Sequence, residues 1–321
     1  MIIIRMTGGL GNQMFQYALY LKLCSMGREV KFDDITEYEI DNARPVMLWA
    51  FGLTYPRADK EEINKITDGF LKLSHRIRRK LFGRKSLEYQ EKDCNYDPQV
   101  LQRDPAYLTG YFQSEKYFMD VEGQVRRAFT FSDKIWERLT SDLRQKLEHY
   151  LEQIESSSAV AIHVRRGDYL NTEGVFGGIC TEVYYQRAVG RMLESLPEAV
   201  FFVFSNDKEW VKGWIPRLCK ELNLDKQKRF VVIEGTTEDT GYLDMLLISK
   251  CQHFILANSS FSWWGAWLNS SGEKLVITPS TWFNNQNCRD IYTQEMIKIS
   301  AKGEIIENEA GKADISYCDC I

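Results

Sequence analysis

From residue 159 to residue 278 the chain alternates short apolar runs with longer segments of helical character, and this alternation constrains the fold most tightly. The runs are Ala159–Val164, Val200–Phe204, Phe230–Ile233, His253–Ala257 and Leu275–Thr278. Between them lie Thr181–Leu196, Asp207–Leu222, Asp239–Lys250 and Ser260–Leu268. Strands apolar on both faces and separated by helices predict a parallel sheet covered on both sides. Right-handed crossovers then make the unit Rossmann-like. The chain opens in the same way, with a strand at Ile2–Met6, a turn through Thr7-Gly8-Gly9-Leu10-Gly11, a helix from Asn12 to about Met26 and a strand near Glu29–Phe32. Residues 40–129 are less regular, and pattern alone does not order their strands.

Between these regions Ile135, Leu139, Leu143, Leu147, Leu151 and Ile154 recur every three or four residues, which predicts one long helix capped at Ser132 or Asp133. The polar run Glu155-Ser156-Ser157-Ser158 that follows has the composition of a hinge. The expected fold class is therefore α/β, with two facing Rossmann-like domains and a ligand site in the cleft between them. The expected boundaries are 1–155, 156–300 and a polar tail over 301–321.

The 321 residues carry a net charge of −4, which argues against a life on nucleic-acid backbones. No apolar stretch is long enough to span a bilayer, and the amino terminus reads as a first strand rather than a leader. A cytoplasmic protein with at most a peripheral contact to the inner membrane is expected. The basic stretch Arg76, Arg78, Arg79, Lys80, Arg84 and Lys85 reads as a solvated helix face, with weak attraction to an anionic membrane as the alternative. The eight cysteines lack Cys-x-x-Cys spacing, so reduced, mostly buried thiols are expected. Cys318-x-Cys320 and four histidines without helical pairing make no metal site.

Four clusters could carry chemistry. His163-Val164-Arg165-Arg166-Gly167-Asp168-Tyr169-Leu170 follows an apolar strand, so its polar groups sit at a sheet's carboxyl edge, where open α/β sheets bind ligands. Adjacent arginines there must meet an anion or solvent, since an unpaired buried guanidinium costs several kcal/mol. Either a diphosphate or neighbouring carboxylates would satisfy them. Gly8-Gly9-Leu10-Gly11-Asn12-Gln13 opens a helix and lets backbone approach a ligand closely, although a plain strand–helix turn would need the same glycines. Asn258-Ser259-Ser260-Phe261 starts another helix after a strand, its hydroxyls suiting a cap or a phosphate, while Trp263, Trp264 and Trp267 share a core-facing side. Phe204-Ser205-Asn206-Asp207 ends a further strand. Asp244 can be a solvated helix residue or a carboxylate that accepts from guanine's N1–H and exocyclic amine. Asp-x-Asp, the usual holder of Mn²⁺ or Mg²⁺ on a diphosphate, is absent, so arginines and helix-end amides would have to meet that charge.

The glycine block through Met14-Phe15-Gln16-Tyr17-Ala18, His163-x-Arg165-Arg166-x-Asp168, Phe204–Asp207 and Asn258–Trp264 together resemble the α-1,2-fucosyltransferase family, in the family's order from residue 2 to about residue 283. The resemblance implies an inverting, bacterial-type enzyme of GT-B-like architecture. It would transfer L-fucose from GDP-β-L-fucose to the 2-hydroxyl of a terminal galactose, with no metal or other cofactor. By the same resemblance the amino-terminal domain serves the acceptor. Arg166 would hold the β-phosphate and departing oxygen, Ser259, Ser260 and Phe261 the phosphates, and His163 and Asp244 the ribose or guanine. Asn12 would line the cleft from the opposite domain. Donor contacts are expected also from Arg165, Gly11, Ser205, Asn206 and Asn258. Asp168 is either general base or salt-bridge partner. The alternatives are another metal-independent nucleotide-sugar transferase, a non-catalytic sugar-nucleotide or glycan-binding protein, and, more remotely, a dehydrogenase.

Overall fold

A computed structural model describes residues 1–39, 44–167, 169, 172 and 174–306. The amino-terminal part contains β1 (Ile2–Arg5), α1 (Leu10–Ser25), β2 (Val30–Asp33), α2 (Lys60–Thr67), α3 (Leu73–Phe82), β3 (Glu88–Gln90) and β4 (Ala106–Thr109). Its sheet has the order β2-β1-β4-β3 with every pair parallel. Then come α4 (Glu122–Ala128), α5 (Lys134–Glu137) and α6 (Ser141–Glu155). The carboxyl-terminal part continues with β5 (Ala159–Val164), α7 (Glu182–Ser195), β6 (Val200–Ser205), α8 (Lys208–Leu222), α9 (Lys226–Arg229), β7 (Phe230–Val232), α10 (Gly241–Lys250), β8 (His253–Ile255), α11 (Ser260–Leu268), β9 (Val276–Pro279), β10 (Met296–Ile299) and β11 (Ile305–Ile306). Its sheet runs β11-β10-β9-β8-β5-β6-β7, parallel except where β11 turns back on β10. This is the α/β architecture expected, with two parallel sheets on either side of a cleft.

Strand β5 is central and fully buried. Because successive strand side chains point to opposite faces, Ala159 and Ala161 enter the core that faces the amino-terminal part, while Val160, Ile162 and Val164 enter the core beneath α7 and α8. The first of these cores belongs to both halves of the chain. The Phe15 ring on α1 lies 4.7 Å from Trp263 and 4.9 Å from Trp264 of α11, and Phe118 stacks on Trp264 at 5.5 Å. Gly11 makes this approach possible, since a Cβ there would sit 2.5 Å from the Ser260 carbonyl carbon. The polar run after Glu155 is thus a turn between packed units that share a core.

Two expectations are corrected. The predicted helix over residues 135–154 is broken into α5 and α6, because the Thr140 hydroxyl caps a new start by accepting from the Leu143 N–H at 3.3 Å, while Asp133 makes no such bond. The cysteines are not all thiols: Cys94 and Cys288 form a disulfide with Cα atoms 5.2 Å apart. Their sequence separation of 194 hides the pair from any test of local spacing. Cys24, Cys180, Cys219 and Cys251 remain thiols, and Cys318 and Cys320 lie outside the described residues. The expected tail, in its first six residues, contains the turn and strand that extend the sheet by β11; residues 307–321 lie outside the description. Among the described residues no helix is long and apolar enough to cross a membrane.

Candidate active site

Three adjoining cavities form one trench along the cleft. The largest, about 1040 Å³, is lined by His163, Arg165, Ser205, Asn206, Thr236 and Asp244 from the carboxyl-terminal wall and by Gly9, Leu10 and Arg44 from the other. It shares Arg44, Arg165 and Phe261 with a middle cavity of about 300 Å³, into which Asn12, Ser259 and Ser260 also face. The middle cavity shares Glu37, Tyr111, Gln113, Phe176 and Phe283 with a third, of about 390 Å³, that continues past Glu91.

The alternation of β5 decides which arginine meets the trench. Arg165 continues the face of His163, whose ring lies 5.6 Å from Phe261, and it lines both the large and the middle cavity. Arg166 continues the face of Val164. Its Nε lies 3.5 Å from Asp207 Oδ2, and its guanidinium covers the Trp210 ring at 4.4 Å, on the α8 side of the sheet. The geometry thus brings Arg165, and not Arg166, to the lining of these two cavities. A count by two from His163 was the signal available in the sequence. Asp168 lies outside the described residues.

At the junction of the large and middle cavities, guanidiniums from opposite walls converge. Arg44 lies 3.6 Å and Arg165 3.9 Å from the same oxygen, Glu238 Oε1. A carboxylate thus occupies the mouth where two cations would meet a ligand's anion. Nothing in the irregular segment around Arg44 or in the loop before α10 marked Arg44 or Glu238 beforehand. α1 begins beside them at Gly9 with no side chain capping its first amides.

The remaining expected residues divide by role. Asp244, on α10, lines the large cavity with a buried Oδ1 that accepts no hydrogen bond. Burial pushes its carboxyl up to about 6, against the Thr236 hydroxyl and the charge of Lys208. Ser205 Oγ accepts from the Asp207 N–H at 2.9 Å, and Asn206 Oδ1 from the Arg166 N–H at 3.0 Å, so both shape the loops beneath the cavity they line. Asn258 is buried, donating to the Trp282 carbonyl at 3.1 Å, while Ser259 caps α11 by accepting from the Phe261 N–H at 3.3 Å. Asn12 ties the walls together, its Oδ1 accepting from Ser260 Oγ at 2.6 Å and from Gln113 Nε2 at 2.8 Å.

The amino-terminal wall is held by side chains that bond to loops. Gln13 donates to the carbonyls of Gly8 and Pro45 and accepts from the Met47 N–H; Gln16 accepts from the Thr7 N–H and donates to the Gly110 carbonyl. Both glutamines are fully buried, the physical reason they follow the glycine turn. Glu37 pairs with Arg5 at 2.8 Å and faces both the middle and third cavities. Glu91 accepts from the Tyr111 and Phe112 N–H groups, and burial pushes its carboxyl up to about 7. Among the described residues, no group of three or more His, Cys, Asp or Glu side chains could hold a metal ion.

A trench between two parallel α/β sheets, with cations from both walls at its waist and space on either side, has room for a phosphorylated donor beside an acceptor. The chain belongs to glycosyl transferase family 11, whose model matches residues 86–300. It is 31% identical over 301 residues to an α-1,2-colitosyltransferase of Escherichia coli, covering 89% of this chain and 93% of that one. The O-antigen biosynthesis glycosyltransferase WbnK of Escherichia coli is 29% identical over 88% of this chain and 95% of its own. The galactoside α-(1,2)-fucosyltransferase 1 of Pan troglodytes is 29% identical over 86% of this chain and 67% of its own.

Proposed function

We propose that the chain transfers L-fucose from GDP-β-L-fucose, with inversion, to the 2-hydroxyl of a terminal galactose on an oligosaccharide. The observation that carries this reading is the convergence of Arg44 and Arg165 on one carboxylate oxygen between a large cavity and the smaller, aromatic-walled middle one. Cleavage of the fucosyl–oxygen bond builds positive charge on the sugar and negative charge on the departing diphosphate. Preorganised cations at that oxygen favour the transition state over the ground state. On this reading the diphosphate replaces Glu238 as the partner of Arg44 and Arg165, which supply the charge that a divalent ion supplies elsewhere, so the reaction needs no metal. Asp244 would accept from guanine, whose paired donors a uracil ring lacks. Glu37, which lines both the middle and the third cavity, would receive the acceptor's proton.

Turnover of GDP-fucose with galactose-terminated acceptors, with the linkage determined on the product, tests the reading. A preference for UDP over GDP would overturn it. Colitose is L-fucose without its 3-hydroxyl, so turnover of the colitose donor in place of GDP-fucose would shift the assignment to the activity named for the Escherichia coli relative. Release of fucose to water, lost in Arg165→Ala, would separate an enzyme from a non-catalytic binding protein.

A further inference from the structure

The helix α3 and its flanks are built the wrong way round for a helix that packs on its own protein. None of its residues is buried. Leu73, Ile77 and Leu81 recur at spacing four and so share one stripe, yet they are 70%, 50% and 69% exposed; Leu71 and Phe82 beside them are 85% and 74% exposed. The opposite side, where apolar residues would be expected, holds the helix to the body through polar groups. Arg79 donates to the carbonyls of Asp68 and Phe70 at 2.8 Å each, Arg78 pairs with Asp68, and the His75 ring lies 4.8 Å from Phe70. The outward stripe is therefore a fixed feature of the fold.

Charge is segregated to the same place. Residues 70–87 contain Lys72, Arg76, Arg78, Arg79, Lys80, Arg84 and Lys85 and no acidic residue, a segment charge of +7 in a chain whose net charge is −4. Of these, Arg76 and Lys80 flank the apolar stripe on the exposed side and make no ion pair among the described residues. An apolar stripe edged by unneutralised cations matches the boundary of an anionic lipid surface, with acyl chains below and phosphate head groups beside them. A protein partner or a second copy would have to bring an acidic face to the same stripe.

We propose that α3 docks the protein on an anionic phospholipid bilayer, Leu73, Ile77 and Leu81 entering the interface and Arg76 and Lys80 meeting the head groups. The sequence favoured a merely solvated helix for this stretch; the outward orientation of the stripe is what the fold adds. Docking holds whatever sugar is transferred.

Flotation of the full chain with phosphatidylcholine–phosphatidylglycerol vesicles, against phosphatidylcholine alone, tests it. The wild type should partition onto the anionic vesicles only, and less as salt rises. Each basic residue near such a surface contributes roughly fivefold, so Arg76→Glu with Lys80→Glu should lower partitioning by more than about twentyfold. Replacing Leu73, Ile77 and Leu81 together by serine should also abolish it, with Tm and turnover of a water-soluble acceptor unchanged. Failure of the wild type to bind, or binding that survives both variants, overturns the proposal. So does a wild type that self-associates through the leucine stripe or retains RNA in place of lipid.

Discussion

The two walls of the trench reach rigidity by different routes. The carboxyl-terminal wall rests on β5 and β6, strands of six residues each, whose side chains alternate between two apolar cores. In the amino-terminal wall the strands run to four residues at most, and loops carry much of the lining. There Gln13, Gln16, Asn12 and Glu91 fix the loops one hydrogen bond at a time. A repeated backbone holds the carboxyl-terminal wall, proposed to take the nucleotide, and single side chains hold the amino-terminal wall, proposed to take the acceptor. Exchange of a few residues can therefore remodel the second without disturbing the first.

The largest test of this contrast concerns neighbours on one strand end. Arg165→Ala should lower kcat by about 10²–10³-fold, the loss typical of removing one preorganised donor, with little change in Tm. Arg166→Ala should retain most activity and lose stability instead, since its guanidinium serves Asp207 and Trp210. Equal activity losses in steady-state assays would break the assignment of the two arginines to opposite faces.

That assignment also marks how far the sequence was legible. The strand–helix alternation, the buried Trp263, Trp264 and Trp267 and the site at the ends of β5 and β6 follow from periodicity. The facing of Arg165 was available from the same period of two and was masked by weighing the arginines as a pair. Arg44, Glu37 and the Cys94–Cys288 bond carry no periodic mark, because each depends on loops brought together from distant positions. The break at Thr140 was hidden by an apolar stripe that runs on in register across two helices.

At the seam between the walls, Gly11→Ala should cost about 1–3 kcal/mol through forced overpacking against the Ser260 backbone, read as a lower Tm. A normal Tm would mean the helix ends can separate freely. On the amino-terminal wall, Gln16→Leu removes the donor to the half-buried Gly110 carbonyl, a loss of roughly 0.5–1.5 kcal/mol. The KM for acceptor should rise more than that for GDP-fucose; an equal rise would deny the division of labour.

Smaller still is a pH effect confined to the carboxyl-terminal wall. With the Asp244 carboxyl raised to about 6, the folded chain takes up a proton there before the unfolded chain does as pH falls. This group's contribution to stability therefore declines as pH rises through that window. The proposed guanine recognition runs the other way, because the ionised form is the acceptor. Affinity for GDP by calorimetry should weaken below about pH 6, by up to roughly tenfold per unit, and Asp244→Asn should flatten the profile. The smallest expected effect is none at all: EDTA should leave turnover unchanged, and a loss restored by Mg²⁺ or Mn²⁺ would return the diphosphate's charge to a metal.

The disulfide between Cys94 and Cys288 lies by the third cavity of the trench, beside the bonds from Asn95 to Asn287 and from Lys116 to Asp290. The aromatic seam of Phe15 with Trp263 and Trp264 joins the same two walls elsewhere. A plate fastened along two separated lines has no axis left to swing on. Substrates must then thread in from the open rims, and breaking the bond with a reductant would free one line and turn a fixed slot into a jaw.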